Sequence, residues 1–122
     1  MLLARMYGEI PYIDRVIHTG DNMDFKKESV HSIVEKIVTD AQTAFEMVPN
    51  KYIKTSENFG RVDQGACLGL IAYVRWIAAT PLWNGASDYG YTLSRVFESE
   101  YAYDADRWRK AKDAADAVLN FE

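Results

Sequence analysis

The stretch GRVDQGACLGLIAYVRWIAATPLWNG, residues 60–85, constrains the fold of this chain more than any other. From Ala66 to Trp83 it is apolar almost throughout, yet Arg75 stands in its middle and Pro81 interrupts it near its end. A membrane-crossing helix needs roughly 20 consecutive apolar residues, and the charge and the proline leave too short a run. The spacing of Gly60 and Gly65 imitates the opening of a phosphate-binding loop. However, Ala66 and Cys67 follow, where that chemistry needs Lys to meet the phosphates and Ser or Thr to hold magnesium. What remains is a buried helix. Asp63 can cap its first turn, and Pro81 ends it by disfavouring helical geometry at Thr80. Gly65, Gly69, Ala72, Trp76 and Ala79 share one face, and the small residues among them predict a seam where a neighbouring backbone comes close. Leu70, Tyr73, Val74 and Ile77 cover much of the rest, and a helix apolar nearly all round is buried on more than one side.

A helix is predicted on either side of this one. From about Ser29 to Val48, residues Val30, Ile33, Val34, Ile37, Ala41, Ala44, Phe45 and Val48 recur at steps of three and four. Ser29 can cap that helix and Pro49 stops it, while Glu35, Lys36, Asp40 and Glu46 fall on its polar side. The last helix is predicted from about Asp104 to Asn120, with Asp104 or Asp106 as cap and Trp108, Ala111, Ala115, Val118 and Leu119 as its stripe. Ahead of the first, an apolar start ends near Gly8, because Pro11 pushes Ile10 toward an extended conformation. The connection from Trp83 to Tyr103 is aromatic and long for a helix–helix turn, and such loops often carry function. No strand pattern stands out. The class is all-α, built of antiparallel helix pairs with a long aromatic loop.

The net charge of −4 gives no electrostatic footprint for nucleic acid or anionic lipid. The single cysteine, Cys67, excludes an intrachain disulfide and any multi-cysteine metal site, and its apolar neighbours mark it as a small buried hydrophobe. His18 and His31 lack ligand spacing and read as solvated. Asp21-Asn22-Met23-Asp24 lacks the alternating ligands, the glycine and the terminal Glu of a calcium loop. Glu98, Glu100, Asp104 and Asp106 read as a solvated approach to a helix N-terminus. No nucleophile elbow, Cys–His pairing or His-Glu-x-x-His is present, so nothing points to an enzyme, a cofactor or a metal site.

Four segments carry a resemblance. YGEIPYID, ESVHSIVEKIVTDAQTAFEMVPN, GRVDQGACLGLIAYVRWIAATPLWNG and YDADRWRKAKDAADAVLN, in that order, closely resemble the SusD/RagB family. Its members show a Ser-Val-led helix ending in Leu/Val-Pro, then Gly-Arg and an alanine-rich helix ending in Ser/Thr-Pro-Leu-aromatic-Asn-Gly, then Tyr-Asp-x-x-Arg-Trp-x-x-Ala. The resemblance runs from about Tyr7 to Asn120. It implies a tetratricopeptide-like helical region, which accords with a small-residue seam. It also implies a surface-exposed outer-membrane lipoprotein that binds glycans or other nutrients without catalysis and passes them to a SusC-type TonB-dependent transporter.

Family members are usually several times longer and carry an N-terminal lipid-bearing cysteine, which Cys67 in mid-helix cannot replace. Residues 1–122 are therefore expected to be one helical segment of a larger SusD-like domain cut at both ends, with a membrane attachment only through an anchor absent from this chain. Cutting such an array should leave the start at Met1 and the Trp108–Leu119 stripe partly bare.

Within the chain, the expected ligand contacts are Trp83, Tyr89 and Tyr91 for stacking on sugar faces, and Asn84 and Asp88 for hydrogen bonds. The opposing expectation makes Trp83 a buried plug over the second helix and puts the ligand site elsewhere. The alternative function is a tetratricopeptide-like protein-interaction scaffold without a small ligand.

Overall fold

In the computed structural model, which describes residues 1–50, 57–58, 60–85 and 102–121, each predicted helix forms close to its expected bounds. The element order is α1 (Leu2–Tyr7), β1 (Ile10–Pro11), β2 (Lys27–Glu28), α2 (Val30–Met47), α3 (Gln64–Ala79), α4 (Pro81–Asn84) and α5 (Ala105–Leu119). The caps are those the sequence offers. Ser29 Oγ accepts from the Ser32 N–H at 3.2 Å, Asp63 Oδ1 from Ala66 N–H at 3.0 Å, and Asp104 Oδ1 from Asp106 N–H at 2.9 Å. α1 ends at Gly8, whose φ of 74° is a left-handed conformation that glycine adopts without steric cost and whose N–H bonds to the Ala4 carbonyl.

α3 lies between the other two long helices and packs on both. At its start, Gln64 Nε2 donates to the carbonyl of Phe45, near the end of α2; toward its end, Arg75 pairs with Glu35, near the start of α2. The two helices are therefore antiparallel. The same logic applies to α5, whose first turn bonds to Asn84 beyond the end of α3, while Phe121 beyond its own end lies against Gly65 at the start of α3. α2 and α5 thus flank α3 and run parallel to one another, and the class is all-α as the periodicity implied.

The core follows from this layering. Val30, Ile33, Val34 and Val38 of α2 meet Val74, Ile77 and Ala78 of α3, closed from above by Ala4 of α1 and by Trp83. Cys67 is buried at 5% exposure, as a small hydrophobe should be. No described helix is long and apolar enough to cross a membrane.

Two expectations are corrected. The seam on α3 fails at Gly69: a Cβ there meets nothing within 4 Å, and Trp76 on the same face is 54% exposed. Of the two glycines of α3, Gly65 is the crowded one, by Phe121 at 3.2 Å. The outward face of α3 instead shows Leu70, Tyr73 and Trp76 to solvent. A small sheet, not foreseen, pairs β1 with β2 antiparallel, Ile10 opposite Glu28 and Pro11 opposite Lys27. That clip is fastened to α2 by side chains: Tyr12 Oη donates to Asp40 Oδ2 at 2.7 Å, Lys36 Nζ lies 4.5 Å from the Tyr12 ring centroid, and Ser32 donates to Glu28 at 2.7 Å. Pro81 ends α3 at an extended Thr80 as expected, and PLWN then forms α4, a separate helical turn.

At the start of the chain Leu2, Leu3, Met6 and Tyr7 of α1 are exposed while Met1 packs partly against the core, and on α5 Trp108 and Leu119 are exposed while Ala111 is buried.

Candidate functional site

The expected ligand residues lie where α3 gives way to α4. Thr80 takes an extended conformation, as a residue before proline should, and its carbonyl then accepts from the N–H groups of Trp83 and Asn84 at 3.0 and 2.9 Å. Pro81 occupies the first position of the new turn, where its missing N–H has no partner to lose. The turn leaves Leu82 exposed and rotates the side chains of Trp83 and Asn84 inward. Trp83 is 5% exposed and Asn84 1% exposed.

Burial decides what these two residues can do. Trp83 belongs to the core beside Ala4 and Val30, so its ring offers no face to a sugar, and its place matches the buried plug. Asn84 is occupied on both ends of its amide. Its Oδ1 accepts from Asp104 N–H at 2.8 Å and from Arg107 Nη1 at 2.6 Å, and its Nδ2 donates to the Asp104 carbonyl at 3.0 Å. Asn84 is a clasp that seats the first turn of α5 on the end of α3. Asp88, Tyr89 and Tyr91, the other expected contacts, lie outside the described residues, as do Glu98 and Glu100.

His31 corrects another expectation. It is partly buried rather than solvated, and its Nε2 lies 2.8 Å from the Trp83 carbonyl. A carbonyl only accepts, so Nε2 carries the proton. The α3–α4 junction is thereby tied to both flanking helices, to α2 through His31 and to α5 through Asn84.

A groove runs along α3 between α2 and α5. Its larger part, ≈ 530 Å³, has Leu68 and Ile71 on its floor with Phe45 on one wall and Ala114 on the other. A smaller recess of ≈ 180 Å³ continues it toward the α3–α4 junction, lined by His31, Asp104 and Arg107; Arg75 and Lys110 line both parts. Between the two parts stands a charge cluster. Arg75 grips Glu35 with both guanidinium arms, and Lys110 Nζ approaches the same carboxylate at 3.4 Å. The Arg75 hydrogen bond holds the Glu35 carboxyl below its usual range against partial burial that acts the other way, with a smaller contribution from Lys110. One signal in the sequence pointed here: a lone arginine in an apolar helix needs a carboxylate, and Glu35 lay on the polar side of the adjacent helix. Lys110 and the groove itself carried no such signal. Among the described residues no group of three or more His, Cys, Asp or Glu could hold a metal ion.

The fold and the junction define an all-α layer of antiparallel helices with a structural asparagine clasp. No family model matches the sequence, and no curated protein matches it. Among solved structures the chain is similar to BT4246, a Bacteroides protein, with a TM-score of 0.77 and 23% identity. The alignment covers 97% of this chain and 21% of that one, so the chain spans about a fifth of the length of BT4246. At that identity the likeness establishes the fold.

Proposed function

We propose that the chain is the helical scaffold of a SusD/RagB-type component of an outer-membrane uptake system, a surface-exposed lipoprotein that captures a glycan or similar nutrient without catalysis and delivers it to a SusC-type TonB-dependent transporter. One observation carries this reading. Two family-like motifs far apart in sequence, Pro81-Leu82-Trp83-Asn84-Gly85 and Tyr103-Asp104-x-x-Arg107-Trp108, meet in a single clasp, Asn84 on the Asp104 backbone and the Arg107 guanidinium. Residues that form one structural unit are expected to recur together, which gives the motif pair a physical reason. The likeness to a much longer Bacteroides chain supports the same reading. The apolar outward face of α3, with Leu70, Tyr73 and Trp76, suits contact with a large protein partner.

The test uses the full-length protein in its native envelope. Expected results are recovery with the outer membrane, co-purification with a β-barrel transporter, and calorimetric binding of at least one oligosaccharide from a panel. Cytosolic location without a transporter partner overturns the reading. Tyr89→Ala with Tyr91→Ala then separates the two placements of the ligand: weakened binding puts it on the aromatic connection, unchanged binding puts it elsewhere in the protein.

The second reading, a protein-interaction scaffold without a small ligand, is favoured by the groove along α3 and by the structural use of Trp83 and Asn84.

A further inference from the structure

Asn84 is the only asparagine of the chain that is followed by glycine. The fold requires both residues of the pair. Asparagine carries a donor and an acceptor on one side chain, and the clasp uses them together, Nδ2 on the Asp104 carbonyl and Oδ1 under Asp104 N–H and Arg107. Gly85 leaves α4 with a φ of 40°, a positive value that residues with a Cβ rarely adopt. The pairing carries a chemical weakness. Asparagine is thermolabile, because the backbone nitrogen that follows it can attack its side-chain carbonyl carbon. Glycine makes the attack easiest, having no side chain to shield its nitrogen and few limits on its backbone. The Gly85 nitrogen gives up its proton to solvent and bonds to Asn84 Cγ. The Cγ–Nδ2 bond breaks, and Nδ2 takes up a proton and leaves as ammonia. Water then opens the five-membered imide at either carbonyl, giving aspartate or isoaspartate without oxidant or reductant.

The folded junction opposes the first step. Asn84 is 1% exposed and Gly85 is buried, which keeps water from the proton transfers. The amide is also held by Asp104 and Arg107, and it does not swing back onto its own backbone while those bonds last. The Arg107 guanidinium draws charge from Oδ1 and by itself favours attack, so protection comes from burial and fixed geometry. We propose that Asn84–Gly85 is a modification site gated by α5, intact while the clasp is closed and deamidated when α5 lifts from the end of α3. The change is one-way. In the aspartate product an acceptor oxygen replaces the Nδ2 donor and faces the Asp104 carbonyl, another acceptor. In the isoaspartate product the main chain gains a methylene and the side chain loses one. Neither rebuilds all three bonds, so each opening that reacts leaves α5 permanently loosened. The proposal rests on the clasp and is independent of the uptake reading.

The full chain is incubated at mildly alkaline pH beside a synthetic peptide of the sequence PLWNGA. Peptide mapping by mass spectrometry follows deamidation at Asn84, and an isoaspartyl methyltransferase assay follows isoaspartate. Asn84 reacts at least about thirtyfold more slowly in the chain than in the peptide, because only the open fraction is competent. The rate rises with urea below the unfolding midpoint and reaches the peptide's rate once the chain is unfolded. Arg107→Met, shown folded by a thermal melt, speeds the native reaction about fivefold or more. Deamidated chain, separated by ion exchange, shows faster amide exchange in the first turn of α5 than the parent. A native rate equal to or above the peptide's overturns the proposal, as does protection that persists in denaturing urea. An unchanged rate in folded Arg107→Met overturns it too, and so does a deamidated chain whose α5 exchanges like the parent's.

Discussion

Replacing Asn84 by alanine tests whether the clasp holds α5 in place. The substitution deletes three hydrogen bonds of 3.0 Å or less, two to the Asp104 backbone and one to the Arg107 guanidinium. A neutral bond contributes about 0.5–1.5 kcal/mol net and one to a charged group about 1.5–3 kcal/mol. Asp104 is exposed and Arg107 half-buried, so water recovers part of the loss, and the expected destabilisation is about 2–4 kcal/mol. That is a large fraction of the roughly 5–15 kcal/mol that holds an ordinary domain together. Chemical denaturation followed by far-ultraviolet circular dichroism measures it. Amide hydrogen exchange in the first turn of α5 should accelerate more than exchange at the centre of α2. A double-mutant cycle with Arg107→Met isolates the charged bond, and a coupling of about 1 kcal/mol or more is expected between two residues in direct contact. A loss below about 0.5 kcal/mol for Asn84→Ala, the level of an ordinary surface substitution, refutes the clasp, and with it the reason offered for the two motifs occurring together.

Gly69→Ala should raise stability by about 0.5–1 kcal/mol, because the new methyl meets open space and alanine is the better helix former; a lower melting temperature contradicts it. Gly65→Ala should gain less or lose, since its Cβ presses on Phe121 at 3.2 Å, and the order of the two melts checks this. Ser29→Ala removes the α2 cap and should cost about 1 kcal/mol by denaturant titration. The Glu35 carboxyl is depressed by Arg75, so its stabilisation is complete above the usual carboxylate range and is lost as pH falls through its own lower pKa. Acid titration of Glu35→Gln should therefore show a shallower loss of stability below about pH 4.3 than the parent. The difference should stay under about 1 kcal/mol, because the Glu35 side chain is 53% exposed.

The helices were legible because their signals are local. Apolar steps of three and four, caps at Ser29, Asp63 and Asp104, and stops at Pro49 and Pro81 act within a few residues, and each survives into the folded chain. That α3 would be covered on two sides was also legible, since a helix apolar nearly all round cannot be satisfied by one neighbour. The faces that meet were not. Gly69 and Gly65 have the same chemistry in the sequence, yet one looks into open space and the other onto Phe121, which the chain brings back from far downstream. Trp83 and Asn84 had the composition of a sugar site, an aromatic beside an amide. One extended residue at Thr80 turns both inward, where the ring completes a core and the amide finds the start of α5. His31 likewise looked solvated until the same turn delivered the Trp83 carbonyl to it across the fold. Periodicity and capping depend on neighbours in the chain, so the sequence by itself determined them. Which side chain becomes a ligand contact, a plug or a clasp depends on partners far away in the chain, and only the tertiary structure, by closing those long loops in one geometry, decided it.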